Sequence, residues 1–502
     1  MRTAFTPAQR WAVAAILAVA VALRVWVALT SGPVHPDEIF QYLEQAHRTV
    51  FGNGIVTWEY RYGMRSWLLP LLLATPMQLG AWVAPASDLY LILPRLTAAA
   101  LSLLLVVGAY GLGARLSRWH GFVAMAVAAT WYDIVYFGGH VLTEPAATAL
   151  ILAAAALLLA ERPERRKLVL AGLLLGFAGI LRFHYLPAVG VLVVLSCGLD
   201  WRSRWLPLIA GGLAAAVAGA AVDLSMGQAP FGWILANFTQ NIVADRASGF
   251  GVHPPLGYLL TLIILWGFAL APLLLLLFPV FRPYRALIWA AVVNILVHSA
   301  IGHKEYRFIF LTVAILVVVA AIGSAELVRR LRERVPQRTG RMTAIALVPL
   351  WFGASATLAA GGKLQSDWRA YRAGSEAAMV LRGQPGLCGV GLVGINLWDT
   401  GGYTLLHRKV PFYVIDPPFD IGPEAPLGAV VPAFNGVIAP ESKAFTLPPG
   451  YRSVGCSAPH PGVDPKRMKT PLRVCAFVRQ GACDASAGAP QELQAVMKRQ
   501  DW

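Results

Sequence analysis

Residues 307–334 read RFIFLTVAILVVVAAIGSAELVRRLRER and indicate a membrane-spanning helix. The apolar part of this stretch runs from Arg307 to Ala325, and a helix of about 20 apolar residues is long enough to cross a lipid bilayer. An arginine-rich segment follows immediately, which is typical of the cytoplasmic end of a membrane span. The arginines of that segment are Arg329, Arg330, Arg332 and Arg334.

The composition of the whole chain agrees with this pattern. Of its 502 residues, 57% are hydrophobic and 14% are charged, and the apolar residues form further runs of spanning length, such as Trp11 to Thr30. That first run could be a secretory signal peptide, but it is long and lacks a convincing small-residue cleavage site. We therefore interpret it as a retained membrane anchor.

The net charge of +16 would suit a nucleic-acid-binding protein, but the positions of the basic residues indicate otherwise. They are concentrated in short segments between apolar runs, which is the pattern of cytoplasmic loops. Those residues are Arg2, Arg10, Arg115, Arg118, Arg162, Arg165, Arg166, Lys167, Arg202, Arg204, Arg282, Arg285, Arg329, Arg330, Arg332, Arg334, Arg338 and Arg341.

These basic segments predict the threading of a polytopic, all-α membrane protein. The alternation works if Trp67 to Val83 does not cross, because Pro70 and Pro76 interrupt this segment and suit a helix at the outer surface. The amino terminus is then inside, and the chain after Gly361 is outside. About 11 transmembrane helices are predicted, over residues 11–30, 92–114, 120–137, 143–160, 168–183, 186–200, 205–223, 256–280, 286–301, 308–327 and 342–360.

After Gly361 the sequence becomes polar and predicts a small α/β domain with strands at Val390–Gly394 and Val410–Ile415. We expect residues 1–360 to form the membrane domain and residues 361–502 a periplasmic domain. The second region contains four cysteines, which allow up to two disulfides in three connectivities, or four free thiols. They are Cys388, Cys456, Cys475 and Cys483.

The first predicted outward loop begins with HPDEIFQ, residues 35–41. Pro36 at a first helical position, followed by two acids, is a favourable helix start, so helix capping alone is one explanation of the acids. The helix is predicted to be amphipathic and to lie on the membrane surface with Asp37 facing water. Its apolar face would contain Ile39, Leu43, Ala46 and Val50, and its polar face Asp37, Gln41, Glu44 and Arg48.

The outward segments also carry the groups that sugar transfer from a lipid phosphate needs. One carboxylate accepts the acceptor's proton, and cations hold the leaving phosphate. Asp37 is the first candidate for the base, and Glu38 the second. A paired belt of Lys304, Glu305 and Arg307 that only anchors its helix is the alternative. The candidate substrate-binding residues are His35, Gln41, Glu44, Trp58, Glu59, Arg65, Glu144, Arg182, Asn237, Asn241, His303, Lys304, Glu305 and Arg307, with Tyr60 and Tyr62 as further faces for a sugar.

A metal site is a weaker hypothesis. His35, Asp37, Glu38 and His303 carry groups that bind metals, but they lack the helical ligand spacing of known metal sites. We therefore predict that no cofactor is required, although a divalent metal stays possible.

Two motifs resemble a known family. The run HPDEIFQYLEQAHRTVFGNGIVTWEYRYGMRSWLLP (35–70) and HKEYRFIF (303–310) resemble motifs of the α-mannosyltransferases that use dolichyl-phosphate-mannose, especially the GPI mannosyltransferase 3 group. The resemblance implies a GT-C fold and an inverting transfer at the lumenal or periplasmic face. It places Asp37 and Glu38 on the family's catalytic acid pair.

The composition suggests a bacterial member, in the inner membrane, with a polyprenyl-phosphate-mannose donor and a glycan or glycolipid acceptor. Two alternatives remain open at this point. One is a GT-C transferase of another sugar, such as arabinose or a different hexose, since no residue indicates which sugar hydroxyls are recognised. The other is a transporter of lipid-linked saccharides, although transporters place polar residues at mid-membrane rather than at one mouth.

Overall fold

The computed structural model describes residues 5–33, 35–160, 163–361, 368, 371–415, 427–458 and 473–499. The chain divides into two compact units. The first consists of Met1–Leu29, Gly63–Leu69 and Arg95–Gly361, and the second of Thr30–Tyr62, Pro70–Pro94 and Gly362–Trp502. Two segments of the first 360 residues thus belong to the same unit as the residues after Gly361, and the division into domains 1–360 and 361–502 stays a prediction.

The fold is mostly helical. The α-helices are Pro7–Thr30, Glu44–Phe51, Trp58–Arg61, Leu68–Val83, Leu89–Gly113, Arg118–Thr130, Tyr132–Gly138, Thr143–Leu158, Arg165–Leu181, Leu186–Cys197, Leu206–Ser225, Gly232–Phe238, Gly257–Trp266, Leu270–Leu275, Phe281–Ala300, Phe310–Arg332, Gln337–Ala359, Arg372–Arg382, Gly402–Leu406, Leu427–Val430 and Leu493–Arg499. Wider π-helical turns cover Glu38–Leu43, Trp201–Trp205 and Thr239–Val243. Short 3₁₀ segments are Phe183–Tyr185, Arg246–Phe250, Gly267–Ala269, Phe278–Val280, Tyr306–Ile309, Leu397–Asp399, Val431–Ala433, Glu441–Thr446 and Ala485–Gln491.

The predicted spans lie on helical segments, and the chain is a multi-pass membrane protein. Two of them are broken: 120–137 covers the helices Arg118–Thr130 and Tyr132–Gly138, and 256–280 covers the helices Gly257–Trp266 and Leu270–Leu275 with 3₁₀ segments between and after them. Among the described residues, six helical stretches are long and apolar enough to cross a membrane, or seven if the bent pair Arg118–Thr130 and Tyr132–Gly138 counts as one span. One of the six, Gly257–Ala300, has 44 residues, about twice the length that one crossing needs. The number of about 11 spans stays a prediction.

The apolar segment that follows Arg307 lies in the interior of the first unit. Helix Phe310–Arg332 is apolar on all sides up to its last turns, and nearly all of it is buried. A helix that is hydrophobic all round needs neighbours on every face, and this one packs against helices Arg118–Thr130, Phe281–Ala300 and Gln337–Ala359. It is therefore the central helix of the first unit.

Arg24 is a buried charge within the first predicted span. Its guanidinium donates hydrogen bonds to the Ser102 hydroxyl at 3.0 Å and to the carbonyls of Ala128 and Ala129 at 3.1 and 3.2 Å. Those carbonyls lie in the last turn of helix Arg118–Thr130, whose partial negative charge favours a cation. Arg24 thus joins its own helix to two others, Leu89–Gly113 and Arg118–Thr130, and the cost of burying its charge is offset by these bonds.

The second unit contains a five-stranded mixed sheet with the order β2-β1-β3-β5-β4. The strands are Val390–Val393 (β1), Phe412–Ile415 (β2), Gly436–Pro440 (β3), Arg452–Cys456 (β4) and Val474–Val478 (β5). β1 pairs with β2 and β3 in parallel, whereas β5 is antiparallel to β3 and β4. The α/β character and both predicted strands are confirmed.

The four cysteines of this unit form two disulfides, Cys388–Cys483 and Cys456–Cys475. The second joins directly opposite residues of β4 and β5. The prediction of up to two disulfides is confirmed, and the structure selects one of the three connectivities that the sequence allowed.

Candidate functional site

The acid pair of the first loop lies at a helix start, as predicted. The helix begins at Pro36, and Asp37 is its second residue. The Asp37 backbone N–H donates to Nδ1 of His35 at 3.2 Å, and the same nitrogen lies 3.3 Å from the Asp37 carboxylate. The Asp37 side chain is 21% exposed, whereas Glu38 is 1% exposed. Of the two acids, Asp37 is thus the one that a solvent-borne hydroxyl can reach.

The helix is not a regular α-helix after Asp37. Residues Glu38–Leu43 form a π-helical turn, in which the Glu44 N–H bonds to the Ile39 carbonyl five residues earlier. π-helical turns are rare and frequently occur at functional sites. This part of the helix is also enclosed on all sides, because every residue from Glu38 to His47 is buried, including Ile39 and Leu43 of the predicted apolar face.

The predicted polar face was therefore wrong in part. Gln41 and Glu44, expected to face water, are 3% and 0% exposed. Gln41 donates to the Glu59 carboxylate at 2.7 Å, and its backbone carbonyl accepts from the Tyr60 hydroxyl at 2.8 Å. These side chains, together with the buried Trp58, are packed within the second unit, and their role in sugar binding stays a prediction.

Glu44 is held by hydrogen bonds within the second unit. Its carboxylate accepts hydrogen bonds from the backbone N–H groups of Ile55, Tyr403 and Thr404 and from the Thr404 hydroxyl. Burial raises the pKa of the carboxyl above its ordinary value, although these four donors oppose the shift. Glu44 thus connects the first loop to a segment some 360 residues away in the same unit.

In the first unit, the structure brings together candidates from three distant parts of the chain. Glu144 is completely buried, and its Oε1 lies 3.4 Å from Nη1 of Arg182 and 3.6 Å from Nη1 of Arg307. Arg307 also pairs with Glu305 through its Nε at 2.7 Å. The two guanidinium carbons lie 4.7 and 5.1 Å from the centre of the Phe308 ring. We call Glu144, Arg182, Glu305, Arg307 and Phe308 the arginine cluster.

His303 joins the arginine cluster through Glu305. Its Nε2 lies 2.9 Å from the Glu305 carboxylate. This hydrogen bond raises the pKa of the imidazole above its ordinary value of 6.5. Protonation of His303 therefore adds a positive charge beside the two arginines, and the neutral form removes it.

The chemistry of the arginine cluster suits an anion. A guanidinium offers five N–H donors in a planar fork, which matches phosphate oxygens. Arg307 donates hydrogen bonds from Nε and Nη2 to Glu305. In contrast, Nε of Arg182, a residue 9% exposed, has no hydrogen-bond acceptor among the described residues. Arg182 is thus the more available of the two for a further acceptor.

The remaining candidates of the first unit lie as follows. The Lys304 ammonium donates to the carbonyls of Ser299 and Ile301, which leaves one of its three donors. Asn241 donates to the buried Asn237 at 3.1 Å, so these two form a pair of their own. Arg65 is half-buried and lies close enough to His184 to interact electrostatically.

Two residues of this region were missed by the sequence analysis. The Phe308 ring packs against both guanidinium groups. Its position directly after Arg307 in the HKEYRFIF motif was the sequence feature that could have indicated it. His298 is buried, with its ring 6.2 Å from that of Phe308. It lies within an apolar helix, where only its polar character could have marked it.

One group of possible metal ligands occurs in the described part of the chain, namely Glu441 with Cys456 and Cys475. Because both cysteines are bonded to each other, neither offers a thiolate. This group includes none of the residues considered for a metal from the sequence. That no cofactor is required stays a prediction.

The fold matches known membrane glycosyltransferases. The crystal structure of ArnT from Cupriavidus metallidurans bound to undecaprenyl phosphate has a TM-score of 0.62, over 95% of this chain and 99% of that chain at 14% identity. The apo structure of the same protein gives 0.57. The chain therefore has the fold of a GT-C membrane glycosyltransferase.

Sequence similarity then identifies the family. Residues 15–362 match the Alg9-like mannosyltransferase family, and the chain belongs to that family. GPI mannosyltransferase 3 of Yarrowia lipolytica is 29% identical over 340 residues, 63% of this chain and 64% of the relative. GPI alpha-1,2-mannosyltransferase 3 of Bos taurus is 30% identical over 298 residues, 55% of this chain and 52% of the relative. The chain thus spans less than two thirds of the length of these relatives.

Proposed function

We propose that this chain is an inverting mannosyltransferase that takes mannose from a polyprenyl-phosphate-linked donor. The observation that carries the proposal is the pair of guanidiniums of Arg182 and Arg307, oriented by one buried carboxylate, Glu144. Family membership and the names of the relatives support mannose as the sugar. The undecaprenyl phosphate of the ArnT structure supports a polyprenyl-phosphate carrier.

The proposed reaction is a single displacement. The acceptor hydroxyl oxygen forms a bond to the sugar's anomeric carbon, and the bond from that carbon to the phosphate oxygen breaks. Asp37 accepts the hydroxyl proton, and Arg182 stabilises the departing phosphate by charge-assisted hydrogen bonds. One displacement inverts the configuration at the carbon. Because phosphate is a good leaving group, a second carboxylate that acts as an acid is not required.

The membrane and the compartment belong to the same proposal. We assign the chain to an inner membrane, with Asp37 and the second unit on the periplasmic side. The alternation of basic segments supports this orientation, as do the disulfides, which form in oxidising compartments. A topology reporter fused after Gly361 should be active only in the periplasm. Activity of a cytoplasmic reporter at that position would contradict the orientation.

The donor is tested with the full chain in proteoliposomes. Polyprenyl phosphates that carry radiolabelled mannose, glucose or arabinose are supplied with a total lipid and envelope extract as the source of acceptor. We expect transfer of label from the mannose donor above the others. Preferential transfer of another sugar would replace mannose, and movement of the intact donor across the membrane without transfer of label would favour the transporter.

A further inference from the structure

A second polar site lies in the first unit. A cavity of about 580 Å³ opens between the turn before helix Arg118–Thr130, the turn before helix Phe281–Ala300 and the last turns of helix Phe310–Arg332. Its lining combines three arginines, Arg282, Arg329 and Arg330, with apolar side chains such as Phe278. No sequence motif and no proposed step of the transfer involves this cavity.

Glu326 organises the cavity wall. Its carboxylate, on a residue 7% exposed, accepts from Nε and Nη2 of Arg329 at 2.8 and 2.9 Å and from Nε of Arg330 at 2.8 Å. The buried His120 lies 3.3 Å from the same carboxylate. Arg330 is also held by the Pro279 carbonyl at 3.0 Å. The wall is thus built by several fixed bonds rather than by loose surface side chains.

The cavity keeps an excess of positive charge. Glu326 pairs with Arg329 and Arg330, and Arg329 also pairs with Glu333, so three lining arginines face two carboxylates. Arg282 forms no ion pair with any described residue. Basic pockets between transmembrane helices bind the phosphate groups of anionic lipids. The apolar part of the lining, including Phe278, suits the carbon atoms that adjoin such a group in a lipid.

The cavity is distinct from the arginine cluster. Arg307 lies in the 3₁₀ turn Tyr306–Ile309 that leads into helix Phe310–Arg332, and Glu326 lies 19 residues further along this continuous helical segment, which corresponds to about 30 Å. That distance is about the thickness of the hydrocarbon core of a bilayer. Because the segment Tyr306–Arg332 is long and apolar enough to cross a membrane, its two ends face opposite membrane surfaces.

From these observations we propose that the cavity binds a phosphate group at the membrane surface opposite the arginine cluster. The ligand class is an anionic phospholipid head group, with free phosphate as the other source of the same chemistry. The proposal does not depend on which sugar the protein transfers. It assigns to Arg282 the main unpaired charge for the phosphate and to Glu326 the positioning of the other two arginines.

The test is native mass spectrometry of the purified full chain, titrated with phosphatidylglycerol or phosphatidylcholine. We expect phosphatidylglycerol to bind more tightly, and Arg282→Ala to weaken it by about fivefold, since one basic residue near anionic lipid contributes about 1 kcal/mol. Arg282→Glu should weaken it further, and Arg282→Lys should retain it. Arg338→Ala, at an exposed arginine outside the cavity, is the matched control and should bind as the unsubstituted protein does.

Inorganic phosphate distinguishes the sources. If it binds, with loss in Arg282→Glu, while the two lipids bind alike, the site takes free phosphate and the lipid assignment is wrong. Equal phosphatidylglycerol binding by the unsubstituted chain and by Arg282→Glu, with no phosphate binding, would overturn the proposal altogether. Thermal unfolding of each variant in phosphatidylcholine alone shows that the variants are folded.

Discussion

The Glu44 carboxylate accepts a hydrogen bond from the backbone N–H of Thr404 at 2.8 Å. This contact joins the first loop to the segment after β1, and the Thr404 hydroxyl and the Tyr403 N–H strengthen it. Because Asp37 lies one residue before the π-helical turn that leads to Glu44, the contact also fixes the helix that carries the proposed base. Loop and sheet are thus parts of one folded unit.

The first prediction concerns Glu44. Glu44→Gln replaces a carboxylate that accepts from four donors with an amide whose nitrogen cannot accept. We expect a loss of stability of about 1–3 kcal/mol, the cost of an unsatisfied buried polar group, measured by thermal unfolding in detergent. Glu441→Gln, which removes only an exposed pair with Arg473, should change stability by less than about 1 kcal/mol. Equal effects of the two variants would contradict the structural role of Glu44.

The second prediction concerns the disulfides. Cys388 and Cys483 are 95 residues apart, and Cys456 and Cys475 are 19 apart. Because a longer closed loop removes more entropy from the unfolded chain, serine replacement of the first pair should cost about 4–5 kcal/mol and of the second about 3 kcal/mol. The free energy of unfolding of the two double-serine variants shows which disulfide contributes more stability. The account of the disulfides fails if the shorter loop proves the more stabilising.

The third prediction concerns Arg182. Arg182→Ala should raise the donor KM by about tenfold or more, because a charge-assisted hydrogen bond contributes about 1.5–3 kcal/mol to binding. Arg307→Ala should act in the same direction, and Arg182→Lys should retain part of the binding. Arg285→Ala, at an exposed arginine of a predicted cytoplasmic loop, serves as the control. An unchanged donor KM in Arg182→Ala and Arg307→Ala would remove the arginine cluster from the donor site.

The fourth prediction concerns pH. The pKa of His303 is raised in the folded protein by its bond to Glu305. The favourable contribution of the protonated His303 imidazole is therefore fully present below pH 6.5, the ordinary pKa of histidine. It is lost as the pH rises through the raised pKa of His303. We expect donor binding to weaken over that interval and His303→Gln to remove this part of the pH profile. A profile that is identical in both proteins would show that His303 does not titrate at the donor site.

The sequence predicted the elements that local patterns control. Pro36 marked the helix start, and the apolar run after Arg307 marked the central helix, because proline geometry and hydrophobic length act within a few residues. Both strands at Val390 and Phe412 followed in the same way. The four cysteines of the second unit also predicted up to two disulfides.

Other features depend on contacts between distant residues. No local pattern indicates that Glu144, Arg182 and Arg307 meet, or that Glu44 receives donors from Thr404. The amphipathic spacing placed Gln41 and Glu44 in water, whereas segments distant in the sequence, such as the one at Thr404, cover this side of the helix as well. Disulfide connectivity likewise requires the strand order, which brings Cys456 opposite Cys475.

Turnover of Asp37→Asn measures whether the Asp37 carboxylate accepts the proton of the acceptor hydroxyl. The substitution removes proton acceptance but nearly preserves shape, and asparagine is tolerated at a helix start. At matched protein levels and with donor binding retained, the account predicts a loss of about 10²–10⁴ in rate. Near-normal turnover of Asp37→Asn with an inactive Glu38→Gln would transfer the role to Glu38, and full activity of both variants would contradict the mechanism.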